Sequence, residues 1–218
     1  MSTEKAGYHH GNLRETLVRT ALTLLEESGV EALSLRAAAR GAGVSAMAPY
    51  RHFADKAALL AAVADQGYAD LRDRLAAADT QADPRQALVE QGVAYVRFAC
   101  ERPALFRLML GAPSAGAAPG PKAPAHQPPG PQPPGPKKTA GSGYDILSAR
   151  VAGLVAEDRR DTAVVAAWSL VHGLACLAVD GRLHGMPGGM AAPEALARQV
   201  TSLFTAGLVA ARPPSVSA

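Results

Sequence analysis

The sequence predicts an all-α fold, and three observations carry that prediction. Apolar residues recur at helical spacing along most of the chain, no segment alternates apolar and polar residues, and the hydrophobes are Ala, Leu and Val rather than aromatics. Hydrophobic residues fill 48% of the 218 positions but aromatics only 5%, so closely packed helices have to build the core. The formal charge is +3, from 22 Lys and Arg against 19 Asp and Glu, so the chain is no polycation. Cys100 and Cys176 form no CxxC and sit among apolar helical neighbours, which reads as buried thiols in a reducing cytoplasm. No uninterrupted apolar run approaches the roughly 20 residues that cross a bilayer. The polar N-terminus carries no signal-like segment. A cytoplasmic protein without a membrane partner is expected.

The elements follow in order. After an arm at residues 1–12, Leu13, Leu17, Ala21, Leu24 and Leu25 define a first helix that Gly29 stops at a C′ position. Ser34 caps a short helix, Leu35 to about Gly41, and a second short helix starts at Ser45. Asp55 caps a long helix with Leu59, Leu60, Val63, Leu71 and Leu75 along one side, to about Ala78. Pro84 opens another, bearing Leu88, Val93, Val96 and Phe98 and ending near Arg102-Pro103. Leu105 to Leu110 adds a further apolar turn or two. From 112 to 143 the character changes: these 32 residues hold ten of the 17 prolines, six glycines, three lysines and no acid. Their only hydrophobes are alanines, so nothing offsets the entropy of ordering, and a disordered insertion is expected. Three more helical runs follow, Tyr144 to Ala156, Arg159 to Arg182 and Pro193 to Ala211, before a tail at 212–218. The expectation is eight or nine helices and no sheet.

The segment that carries chemistry is LSLRAAARGAGVSAMAPYRHFADKAALL, Leu33 to Leu60. It reads as helix, tight turn, helix. Ala39 has to be small where the second helix crosses, Gly43 supplies a positive φ in the turn, and Val44 is the apolar plug. Ser45 is placed as the N-cap of a helix whose first residues project outward, where a recognition helix meets base edges.

Residues 13 to 60 resemble the N-terminal DNA-binding domain of the TetR/AcrR family of transcriptional regulators. The resemblance rests on the AGVS turn (Ala42 to Ser45), Tyr50-Arg51-His52-Phe53, Asp55-Lys56 and Leu59-Leu60. The arm YHHGNLR (Tyr8 to Arg14) and Trp168-Ser-Leu-Val-His172-Gly173 resemble one branch of that family, with a C-terminal Trp/His-Gly ligand domain. The resemblance implies a three-helix helix-turn-helix domain (13–60) and a helical ligand-binding and dimerisation domain (61–211) interrupted by the 112–143 insertion. It further implies that Ser34, Ser45, Tyr50, His52 and Lys56 approach phosphates, with Ala46 and Met47 nearest the bases and Arg51, the only long donor nearby, suited to either a base or a phosphate. Residue chemistry is compatible: hydroxyls at helix starts suit phosphate oxygens, and Lys56 sits in the first turn of its helix. Tyr50 also suits packing between the short helices, Arg36 and Arg40 suit either phosphate contact or plain solvation, and Phe53 reads as core. His9 and His10 suit either backbone contact or an unstructured arm. None of Ala46, Met47, Ala48 and Pro49 makes a bidentate base contact, although Ala46 and Met47 suit a thymine methyl. Pro49 falls at about the fourth helical position, where its missing N–H begins to matter. Residues 1 to 56 hold seven basic and six acidic groups, a net of only +1.

In the C-terminal half, Phe98, Phe106, Met109, Trp168 and His172 are the large or polar-tipped side chains on small-residue helices. They read either as packed core with a satisfied histidine or as the lining of a site for an apolar or aromatic effector. Gly173 is placed where another helix approaches closely. Val164, Ala167, Trp168, Val171, Leu174 and Ala178, with Leu196, Val200, Leu203, Phe204 and Leu208, mark two broadly apolar helices suited to a four-helix interface between subunits.

The combined expectation is a homodimeric repressor of a pseudo-palindromic operator in double-stranded DNA, released by a small-molecule effector. The alternatives are an activator, or a DNA-binding protein that recruits a partner through its proline-rich loop. No cofactor is implied. With no metal-ligand spacing, GxSxG or phosphate-binding loop in the sequence, an enzyme is not expected.

Overall fold

The computed structural model describes residues 13–111, 142–185 and 192–210. The arm, the tail and all but the last two residues of the proline-rich insertion lie outside them. Within the described residues the secondary structure is entirely helical, eight α-helices and three single 3-10 turns, which fulfils the predicted class. They form two compact units, 13–66 with 107–111, and 67–106 with 142–185 and 192–210.

In the first unit, α1 (Leu13–Ala32) is interrupted at Gly29, whose φ of 76° is a conformation that L side chains rarely adopt. The stop read from the sequence is therefore real, although one more helical turn follows it. Ser34 begins α2 (Leu35–Gly41) by accepting the Ala37 N–H at 3.1 Å. Ala37, Ala38 and Ala39 are buried, and α2 approaches α1 so closely that a Cβ on Gly41 would stand 2.6 Å from Thr20 Cγ2. The turn beyond α2 has Gly43 at φ 68°, as its place after α2 requires, and returns the Val44 N–H to the Ala39 carbonyl at 3.0 Å. Asp55 caps α3 (Lys56–Ala78) by accepting the Ala58 N–H at 2.8 Å.

The expected α-helix from Ser45 is not one. The segment forms a single 3-10 turn, Ala48–Arg51, preceded by Met47 at the capping position without a side-chain cap. Ser45 contributes its carbonyl to the Ala48 N–H at 3.0 Å. The cause is Pro49: it has no N–H for the Ser45 carbonyl, and its ring would crowd that carbonyl in an α-turn. His52 and Phe53 close the turn by donating their N–H groups to the Pro49 carbonyl, each at 2.9 Å.

The second unit is organised on α4 (Pro84–Glu101), which packs against α6 (Gly143–Ala152), α7 (Arg160–Val179) and α8 (Pro193–Ala210). Asp83 caps α4 through the Arg85 N–H, and Pro84 follows at the first helical position. After α4, α5 (Pro103–Gly111) begins at Pro103. Ser142 and Asp145 form a reciprocal capping box at the start of α6, so helix begins inside the span read as insertion. That helix ends at Ala152 rather than Ala156, and 3-10 turns occupy Glu157–Arg159 and Arg182–Gly185 at either end of α7. Leu88, Val151, Leu154, Ala163, Val164 and Ala167 make one buried cluster, flanked by Phe204 and Leu208. At its edge, Asp79 Oδ1 accepts from Arg150 Nε at 2.6 Å and from the buried Gln91 amide at 2.9 Å, tying the end of α3 to α4 and α6.

Two features of α7 refine what its sequence suggests. Between Asp161 and Asp180 it carries no Asp, Glu, Lys or Arg, and Glu157–Val179 is long and apolar enough to cross a membrane by length and composition. The run is not uninterrupted: Ser169, His172 and Gly173 break it without charging it. Only 28% of its most apolar window is buried. Secondly, the residues assigned to subunit pairing are partly spent inside the unit: Val164, Ala167 and Leu174 are buried. The face left uncovered carries Val165, Ala166, Ser169 and Gly173 of α7, with Leu203, Ala206 and Gly207 on α8. No described atom lies within 4 Å of a Cβ built on Gly173; the close helix approach is at Gly92 of α4 instead.

Candidate nucleic-acid interface and effector site

The first unit presents an edge made of α2 and the 3-10 turn packed on it. Ser34, Arg36, Arg40, Ser45, Ala46, Arg51 and His52 are exposed on that edge. Met47 is 71% exposed and Tyr50 45%. Pro49 and Phe53 are buried beneath them, so the turn is anchored by its apolar residues and offers the others to solvent. Phe53 is core, at 3% exposure, with the Arg14 guanidinium 5.3 Å from its ring centroid.

Two candidates are already engaged: Ser34 as the cap of α2, and Lys56, whose Nζ donates to the Val30 carbonyl at 2.8 Å, satisfying the last turn of α1. An ammonium has two further protons to offer, so this bond fixes where the charge sits without exhausting it. The charge signal is local. From Leu33 to Ala54 there are three arginines, one histidine and no Asp or Glu, which the near-neutral sum over residues 1 to 56 averages away.

In the second unit, four rings and a thiol converge. The Trp168 and His172 rings stack at 4.8 Å and 20°, as their i, i+4 spacing on α7 allows. Phe106, 2% exposed, lies 5.9 Å from His172 and 6.0 Å, edge-on, from Tyr95. The Tyr95 hydroxyl is 2.9 Å from His172 Nδ1, and Cys176 Sγ is 3.7 Å from Nε2. Trp168 also hydrogen-bonds the Tyr95 hydroxyl. The imidazole thus lies between a hydroxyl and a thiol; Cys176 is half-buried and Cys100 exposed, so the expected burial of both thiols is corrected. Burial pushes the Tyr95 hydroxyl far above its ordinary pKa, with Cys176 and Tyr68 adding to the rise and the Trp168 bond opposing it. Burial lowers the His172 pKa, because the charged imidazolium is the form that desolvation penalises. The structure thus joins Trp168, His172 and Phe106. Phe98 is fully buried with Arg74 over its ring, and Met109, 2% exposed, belongs to the first unit. Tyr95 was not foreseen; it lies 77 residues from His172 in the chain. Among the described residues no three His, Cys, Asp or Glu side chains are grouped to hold a metal.

A turn-linked pair of short helical elements with an exposed cationic edge has the geometry of a helix-turn-helix DNA-reading domain. Comparison with known proteins names the class further. Residues 17–63 match the model of bacterial regulatory proteins of the tetR family. Residues 88–203, more than half of the chain, match the tetracyclin repressor-like C-terminal domain. The chain belongs to the TetR family. A protein of unknown function from Rhodococcus sp. RHA1 superposes with a TM-score of 0.70 at 30% identity, over 94% of this chain and 100% of that one. A TetR transcriptional regulator from Streptomyces coelicolor gives 0.65 at 19% identity, over 92% and 99%. A TetR variant from Acinetobacter baumannii AYE in complex with minocycline gives 0.61 at 21%, over 91% and 97%. No curated protein matches the sequence.

Proposed function

We propose that the protein is a homodimeric repressor whose hold on a pseudo-palindromic operator is loosened by a small apolar or aromatic effector. The observation that carries the DNA contact is the exposed, acid-free edge of 33–54. In this reading residues 13–60 are the reader domain and 61–211 the sensing and pairing domain. Ser34, Ser45, Tyr50, His52 and Lys56 meet phosphates, Ala46 and Met47 meet the groove, and Arg51, the one long donor on the turn, reaches a phosphate beside it. One such turn buries too little DNA surface to bind specifically, so two copies are needed. The uncovered apolar face of α7 and α8 supports a second chain, since water is a poor neighbour for Val165 and for Leu203, which is 75% exposed. Operator binding places the protein in the cytoplasm, and no catalytic role or cofactor is invoked.

The Trp168–His172–Tyr95 cluster, extended by Phe106 and with Phe98 and Met109 as outlying candidates, is the proposed sensor. An effector that displaces the indole from the imidazole would break the hydrogen-bond chain through Tyr95. The solved minocycline complex of a family member supports small-molecule sensing in this architecture. The test is genome-wide mapping of binding sites in the cell that encodes the protein, followed by mobility-shift titration on the recovered fragments. A few promoter sites with steeply salt-dependent affinity are expected. Tyr50→Ala and Lys56→Ala should weaken all sequences alike; absence of retarded DNA refutes the reading.

A further inference from the structure

We infer that the protein selects its operator through thymine C5-methyl groups, with Met47 as the specificity-determining residue; this rests on the DNA-binding reading above. The 3-10 turn decides it. Sequence alone predicts an α-helix from Ser45. Pro49 instead shortens the element to four residues, buries its own ring, and leaves Met47 71% exposed at the capping position. Beside it in sequence are only Ser45, Ala46 and Ala48, so the leading edge of the turn holds no amide, carboxylate or guanidinium able to pair with a base edge in two bonds. An unbranched thioether this exposed costs free energy in water and has one apolar partner in a major groove, the thymine methyl. The partner's class follows from charge: Arg36, Arg40 and Arg51 are exposed on α2 and on the turn itself, with no acid between Leu33 and Ala54. These cations suit the phosphates on either side of a groove and do not by themselves distinguish bases.

The experiment is selection of binders from two randomised duplex pools, one made with thymine and one with uracil, which lacks only the methyl. The thymine pool should yield a consensus with thymine at a fixed position of each half-site. Replacing that thymine by uracil should lower affinity about fourfold per methyl, and about 15-fold for both half-sites, from the transfer value of one carbon. Met47→Ala should bind the thymine and uracil duplexes alike, and Met47→Leu should retain the preference; at such exposure neither change threatens folding. Equal affinity of the wild type for the two duplexes, or full discrimination by Met47→Ala, overturns the assignment while leaving DNA binding standing. Failure to enrich any sequence from either pool overturns the DNA-binding reading itself, and this inference with it.

Discussion

Gly92 should be irreplaceable by alanine, against the usual gain from Gly to Ala in a helix. It lies in α4 facing α8, and a Cβ there would stand 2.6 Å from Thr201 Oγ1, 3.3 Å from Thr201 Cγ2 and 3.2 Å from Val171 Cγ1. The nearest contact is about 1 Å short of a comfortable non-bonded distance. Thr201 is 2% exposed and β-branched, and both branches face the glycine, so rotating it exchanges one clash for another. Overpacking of this kind costs roughly 2 kcal/mol, and improved helix propensity returns about 1. Gly92→Ala should therefore lose about 1 kcal/mol net, a fall in Tm of roughly 2–4 °C for a chain of this size. Thr201→Ala makes the room, and in that background Gly92→Ala should gain about 1 kcal/mol, a coupling of about 2. Urea and thermal unfolding of the four proteins at one fixed concentration measure the cycle. A Gly92→Ala protein about 1 kcal/mol more stable than the wild type would show that the α4–α8 approach is looser than described.

Other perturbations follow from the same geometry. Asp79→Ala strips the buried Gln91 amide and Arg150 of a shared acceptor and should cost about 1–3 kcal/mol in urea titration; an unchanged midpoint would remove the node from the account. His172 has a folded pKa below its unfolded value, so the unfolded chain takes up its proton first as pH falls. Its stabilising contribution is complete above the unfolded pKa and drains away as pH drops through the folded one. His172→Phe should flatten that acid-side decline, and an identical pH profile would contradict it. Leu203→Arg, at 75% exposure, should leave the fold intact and convert sedimentation from dimer to monomer; a mutant that still sediments as a dimer places the interface elsewhere.

Helix starts were legible because capping is local: Ser34, Asp55 and Pro84 each open the helix assigned to them. Gly29 and Gly43 were legible for the same reason, since a positive φ is a property of one residue. Pro49 was recognised as out of place, but its consequence, a 3-10 turn in place of an α-helix, depends on which hydrogen bonds remain once Ser45 loses its α-partner. The orientation of α7 was not legible. A helix apolar on all sides has no periodic signal to mark its inner face, so Val164 and Val165 read alike although one is buried and the other 57% exposed. Gly173 and Gly92 likewise look equivalent in sequence, and only packing identifies Gly92 as the close contact. The Trp168–His172 pair followed from helical spacing, whereas Tyr95 enters from another helix and left no local trace.

The central claim is that two copies of the exposed turn read one duplex. Footprinting on a selected operator, combined with the mass of the complex, measures this directly. Two chains per duplex are expected, protecting two inverted half-sites about one helical turn apart or a multiple of it. One chain protecting a single asymmetric site would contradict it.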